Sequence, residues 1–282
     1  MHHWQSLGAA IMLVSATMGA QAAEKNWTVE GGGLKISQSC ARSVDIQPGG
    51  AGHQVVIAAT ADKDDEINQL RVSGGSVATI ELGNSPCFSK FSFFGINNSK
   101  PTLALTIKVP DGAAIEIRDG GVVHYTIGAV GGALNLSLAG ASGFKAASAT
   151  SLSLELSGAS TAEIGEAGDT KLRTSGAGDV VIRKLKGTMD AKIAGAGNLT
   201  VDSIESSSVE LHAAGRSDIK FAKGSIAYFY LDSAGASDAV IDAVVGDAKV
   251  SVAGAGDVTF AKLTGHINQS VAGVGSVKVL DH

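Results

Sequence analysis

From about residue 130 onward, small and apolar residues fall into a pattern that returns with little drift. The phrase Ser175-Gly176-Ala177-Gly178-Asp179-Val180-Val181-Ile182 is one copy, and its first glycine recurs at Gly140, Gly158, Gly176, Gly195, Gly215, Gly235, Gly254 and Gly273. The intervals are 18, 18, 19, 20, 20, 19 and 19 residues, a short regular period in which each repeat buries its apolar edge against its neighbours. Four residues ahead of this anchor stand Leu136, Leu154, Leu172, Ala191, Leu211, Leu231 and Val250. Four after it come Phe144, Ala162, Val180, Leu199, Ile219, Ala239, Val258 and Val277, and six after it Ala146, Ile164, Ile182, Val201, Phe221, Ile241, Phe260 and Val279. Positions four and six share one face of a strand, because strand side chains alternate with period two. A third apolar position falls nine after the anchor, at Leu185, Ile204, Val244 and Leu263, with glycines nearby. Each period therefore holds three short strands joined by tight turns. The i, i+3, i+4 spacing of an amphipathic helix is missing. The pattern predicts an all-β chain, a single-stranded parallel β-helix (solenoid) with coils of about 19 residues, right-handed by analogy.

Ahead of the repeats the pattern changes twice. Residues 1–22 read as a signal peptide: the apolar run Leu7–Ala16 is followed by the small-x-small site Ala20-Gln21-Ala22. Its leading segment carries His2 and His3 but no Lys or Arg, and an uncleaved membrane anchor is the alternative. Residues 24–112 form an irregular β-rich region or cap, with period-two runs such as Gln54–Ala58 and Leu103–Val109 between glycine-rich turns. A cap would cover the open sheet edge that ends any β-helix. Residues 113–282 are the β-helix repeats, and the edge of the last coil, near Val277–Leu280, offers a surface for homo-oligomer formation.

Composition narrows the chemistry. A formal net charge of −5 and only 5% aromatic residues leave no basic, aromatic-interleaved footprint for nucleic acid. The two cysteines, Cys40 and Cys87, read as a disulfide in an exported chain. Phe88, Phe91, Phe93 and Phe94 crowd one stretch, either as an apolar plug on the first coil or as an exposed contact patch. Three residues after the anchor runs a polar ladder, Asp179, Asn198, Asp218, Asp238 and Asp257. One reading is a Ca2+-binding row, although one carboxylate per coil supplies few of the six to eight oxygens Ca2+ takes. The other is that aspartate beside glycine serves the turn by accepting local backbone N–H groups. Asp190, Asp202, Glu205, Asp242 and Asp247 occupy different repeat positions, and the histidines are scattered without metal-ligand spacing. No catalytic residue is assigned.

With its Gly-Ala-Gly-Asp-Val-x-Ile phrase, clearest over Ser175–Ile182, Ala194–Val201 and Ala253–Phe260, and its lead-in Thr106–Gly112, the chain resembles the GIN-domain family of autotransporter adhesin heads. The resemblance covers roughly Leu34 to Leu280. It implies a pectin-lyase-like right-handed β-helix without recognised catalytic residues and a role in adhesion. The expectation is an exported, non-enzymatic binding or adhesion protein of the bacterial cell envelope, its partner an envelope glycan or protein. Its candidate surfaces are Asp179, Asp218, Asp238 and Asp257 on one side and Phe91, Phe93 and Phe94 on the other. The alternatives are a polysaccharide-active lyase or hydrolase and a structural envelope protein.

Overall fold

The computed structural model describes residues 22–38, 40–50, 52–82 and 101–281. Stacked coils about 19 residues apart make a β-solenoid of about 9 turns. Each coil visits three faces. The leading face carries the strand that runs into the anchor glycine, the trailing face the strand that begins three residues after it, and a third face closes the triangle.

On the leading face Leu136, Leu154, Leu172, Ala191, Leu211, Leu231 and Val250 are Cα partners in one parallel file. On the trailing face Phe144, Ala162, Val180, Leu199, Ile219, Ala239 and Val258 form a second. All fourteen are buried. Both files point inward and meet as a single core, and each fully buried Leu, Ile or Phe contributes roughly 1.5–3 kcal/mol relative to its exposed state. Large residues are offset by small ones: Phe144 lies in register with Ala162, and Phe229 with Ala248. Three phenylalanines bridge the interior edge to face, Phe221 to Phe229 at 6.1 Å and Phe229 to Phe260 at 5.4 Å between ring centroids.

The corner explains the repeating glycine. All eight anchors have φ between +91° and +142°, a range that L side chains rarely adopt. At each of them, a β-carbon would also run into the backbone of the coil below. From Gly158 onward the residue after each anchor, alanine in most coils and Arg216 or Val274 in two, donates its N–H to the previous coil's anchor carbonyl, as Ala177 does to Gly158 at 2.9 Å.

The structure departs from the sequence pattern in two places. Val244 is not an inward residue. It is 38% exposed while Val245 is fully buried, because the strand Asp238–Gly254 shifts register between Ile241 and Val244. The extra residue changes which side chain faces the core. The irregular region 24–112 also divides in two. Gly33–Ser37 and Ser43–Pro48 stack in parallel directly against Ala114–Asp119 and His124–Ile127, so they belong to the coils. Ala78–Leu82 and Ala104–Val109 stack on their other side. Chain order and stacking order therefore differ at this end.

The strands beyond them turn antiparallel. Leu70–Ser73 pairs with Ala78–Leu82, and Gln54–Ala61 pairs with both Ala104–Val109 and Ala23–Glu30. The short helix Asp64–Asn68 connects the two groups and buries Ile67. Glu66 fixes the crossing by accepting from the backbone N–H groups of Thr102 and Leu103 and from the Thr102 hydroxyl. Inside the coils near this end, the buried carboxylate of Asp119 accepts from Tyr125 Oη at 2.6 Å and from the Gly121 N–H.

Cys40 is half-buried, with φ at +45°, in the turn between Gly33–Ser37 and Ser43–Pro48. Its expected partner Cys87, the phenylalanines at 88, 91, 93 and 94, and residues 1–21 of the expected signal lie outside the described residues. No helix among the described residues is long and apolar enough to cross a membrane.

Candidate functional site

The predicted aspartate ladder is a real row. Asp179, Asp218, Asp238 and Asp257 start trailing-face strands, Asn198 immediately precedes one, and all five are exposed. Much of its bonding capacity is taken up from coil to coil. Asn198 Nδ2 donates to Asp179 Oδ1 at 2.9 Å, the Asp257 N–H donates to Asp238 Oδ1 at 2.9 Å, and Ser276 Oγ donates to Asp257 Oδ1 at 2.7 Å. The Ser276 hydroxyl holds the Asp257 carboxyl below its usual value. Among the described residues no three His, Cys, Asp or Glu side chains group as a metal site. The geometry is that of side chains stapling one turn to the next.

Charged residues on the same side are also committed to one another. Arg183 spans three coils, donating to Glu163 at 2.9 Å and to Asp202 at 2.8 Å, and Lys145 reaches the other oxygen of Glu163 at 3.3 Å. Lys186 pairs with Glu166 at 2.8 Å. These hydrogen bonds lower the pKa of both glutamates and raise those of Arg183 and Lys186. Exposed pairs of this kind contribute little singly, but here each one joins neighbouring coils.

The leading face is built differently. Its outward residues stand seven and five places ahead of each anchor. Together they line an open groove of about 550 Å3 running across the strands from Ala133 and Asn135 to Ser208 and Glu210. One wall is fixed by Asp169, which accepts from the N–H and the hydroxyl of Thr188, both at 2.8 Å; the backbone donor is the main cause of its lowered pKa. Along the floor, Asn135, Ser153, Lys171 and Asp190 have no side-chain hydrogen bond or ion pair among the described residues. On the next rung, Tyr228 and Tyr230 are in register with Ser208 and Glu210. Tyr230 meets the edge of His212 at 5.6 Å and has the Lys249 ammonium 5.6 Å from its ring centroid. Tyr228 is 42% exposed.

None of these groove residues was singled out as a binding residue by sequence reasoning. Their types change from coil to coil (Asn, Ser, Lys, Asp, Glu, Tyr), so they leave no ladder in the sequence. The signal that could have found them is the fixed offset from the anchor, together with two of the chain's three tyrosines on one rung.

Residues 170–282 match the family model described as "Putative auto-transporter adhesin, head GIN domain". This GIN-domain match covers the part of the chain where the Gly-Ala-Gly-Asp phrase is most regular, and it shows the resemblance read from that phrase. It contains Lys171, Asp190 and Glu210 of the groove and the two tyrosines on the rung beyond it, while Asn135 and Ser153 precede it. No curated protein matches the chain. Among solved structures, the chain is similar to a putative adhesin from Parabacteroides distasonis, at 14% identity and a TM-score of 0.59, covering 92% of this chain and 97% of that one. It is also similar to a protein from the same species described as a putative lipid binding protein, at 13% identity and a TM-score of 0.52, covering 91% and 96%. At such identities these two likenesses speak for the fold alone.

Proposed function

We propose that this chain is an exported, non-enzymatic β-solenoid that binds or adheres at the bacterial cell envelope. The observation that carries the reading is the rod itself: outward side chains stand in files on faces held in register by backbone pairing. Such a surface suits contact with an extended partner. The adhesin description of the GIN-domain match supports the same reading. A polysaccharide-cleaving activity would need carboxylates converging on one bond. Here Asp202 is tied to Arg183, Asp247 accepts from the His266 N–H on a different coil, and Asp190 lies in the groove. A Cys40–Cys87 bridge belongs to the same proposal; Cys40 is not a free thiol, and export would preserve the bond.

The test is expression of the full chain, mass spectrometry of its N-terminus, and flow cytometry of cells coated with the fluorescently labelled mature protein. The expected result is cleavage after Ala22 and saturable coating that unlabelled protein displaces. An intact N-terminus in the cytoplasm, with no displaceable coating, refutes the proposal.

A second reading, self-association, is favoured by the coil Ile267–Asp281. Val271, in register with the buried Val252, is 41% exposed, and Leu280 is 71% exposed. A second copy covering that coil would appear as a dimer in sedimentation velocity that Val271→Asp abolishes; a monomer at all concentrations removes it.

A further inference from the structure

The leading-face groove has three properties that together select a ligand class, and the argument rests on the binding role proposed above. Four polar groups on its floor are left unsatisfied by the protein, beside an Asp169 bonded to Thr188 and a Glu210 bonded to His212. On the trailing face, carboxylates, amides and ammonium groups bond one another from coil to coil, whereas Asn135, Ser153, Lys171 and Asp190 present an amide, a hydroxyl, an ammonium and a carboxylate toward solvent. Groups that donate, accept or do both follow one another in one line at the coil spacing of about 4.8 Å, and a row of ligand hydroxyl groups, each donor and acceptor at once, can bond all of them.

The groove also runs across the strands. Every leading-face strand from Ala133 to Gly254 is hydrogen-bonded on both sides to neighbouring coils. No sheet edge lies along the groove, so an extended peptide would find no main-chain ladder to join. Nor is the lining basic: Lys171 is followed by Asp190 and Glu210, which disfavours a polyanion. Finally, one end carries an exposed ring. Tyr228 stands one rung beyond Ser208, and the apolar face of a pyranose stacks on such a surface while the phenol oxygen stays wet.

We infer that the groove binds an extended, uncharged glycan chain lying along the rod axis. Hydroxyl groups of the chain bond Asn135, Ser153, Lys171, Asp190 and Glu210, and one sugar ring stacks on Tyr228. Six rungs at the coil spacing span about 24 Å, room for an oligosaccharide of several units. Glycosidic bonds are left intact, so the site holds the polymer and does not cut it.

The experiment is isothermal titration calorimetry of the full mature chain with cellohexaose and hexa-N-acetylchitohexaose, which are straight, and with maltohexaose, which curves. At least one straight chain binds, and maltohexaose binds more weakly. Tyr228→Ala and Asp190→Ala each weaken binding about tenfold, Tyr228→Phe retains it, and Asp218→Ala on the trailing face leaves it unchanged. Circular dichroism melts confirm that each variant is folded, and Lys171→Ala serves if Asp190→Ala is not. No new reducing ends form on prolonged incubation. The assignment is overturned if the folded protein binds none of the three sugars, if maltohexaose binds best, if the groove variants bind like the unaltered chain, or if reducing ends accumulate. Its failure is separable from that of the envelope reading: displaceable coating of cells without sugar binding removes the groove assignment and leaves adhesion standing, whereas loss of both removes both.

Discussion

Replacing Gly176 by alanine adds one carbon atom and should destabilise the rod out of proportion to that change. The new β-carbon would stand 3.0 Å from the amide nitrogen of Gly158 and 3.1 Å from its carbonyl carbon, with the carbonyl oxygen closer still. Ordinary contact begins at 3.4 Å, so the coils must part by at least 0.4 Å (3.4 − 3.0) at the nitrogen and by more at the oxygen. That oxygen accepts the Ala177 N–H at 2.9 Å, and the parting weakens the bond it must keep. Overpacking against backbone costs about 1–3 kcal/mol. Holding a residue with a β-carbon at φ +114° costs about 1–3 kcal/mol more. A total near 3 kcal/mol, at roughly 2–4 °C per kcal/mol for a chain of this size, lowers the melting temperature by about 6–12 °C. The control is Ala177→Val, one residue along, where the side chain is exposed and φ is not positive; it should change stability by no more than about 0.5 kcal/mol. Calorimetric melts of both variants decide the matter. Equal melting temperatures for the two would refute the argument that the glycine file sets the coil spacing.

Tyr125→Phe removes one hydroxyl donor from the buried Asp119 carboxylate and should cost about 1–3 kcal/mol in urea unfolding; an unchanged midpoint would show that the pair does not stabilise the fold. Hydrogen bonds from Arg183 and Lys186 hold Glu163 and Glu166 below the usual 4.5, and those from Thr188 and Ser276 hold Asp169 and Asp257 below 3.8. A depressed folded pKa gives stability that is complete above the unfolded value and is lost as pH falls through the folded one. Melting temperature should therefore be level at neutral pH and decline below the unfolded value of 4.5 for the glutamates, less steeply in Glu163→Gln; the same acid slope in that variant would contradict the assignment. Millimolar Ca2+ should leave the melt unmoved, because Asp179, Asp238 and Asp257 already bond the next coil. A rise of several degrees would return the ladder to metal binding.

The fold was legible because its two strongest signals are local and periodic. The anchor glycines repeat for a steric reason, and the apolar files at four before, four after and six after are buried from Leu136 through Phe260 and partly buried at Val277 and Val279. The third inward position was harder to read, since a single register shift exchanges Val244 for Val245 without altering composition. The first coils were hidden for another reason: Gly33–Ser37 and Ala114–Asp119 are neighbours in space but far apart in sequence, and no period connects them. The ladder of aspartates was visible as a row, yet its hydrogen bonds to Asn198 and Ser276 depend on the next coil's geometry. The groove was the least legible feature. A binding row that varies from rung to rung looks, in a sequence, like any solvated face.

That contrast follows from how a solenoid is held together. Because each coil touches only its neighbours, polar surface residues can add to stability only by bonding across one coil step, and that favours rows of complementary groups. Arg183 between Glu163 and Asp202, and Asn198 beside Asp179, are of this kind. A row that contacts a ligand has the opposite requirement, since groups already bonded to one another must be released before they can bond anything else. Lys171 and Asp190 stand on adjacent rungs, in register and opposite in charge, without forming a pair. Where bonded and unbonded groups occur on one rod, those bonded from coil to coil, Asp169 with Thr188 among them, stabilise the stack, and the unbonded ones are left available for recognition.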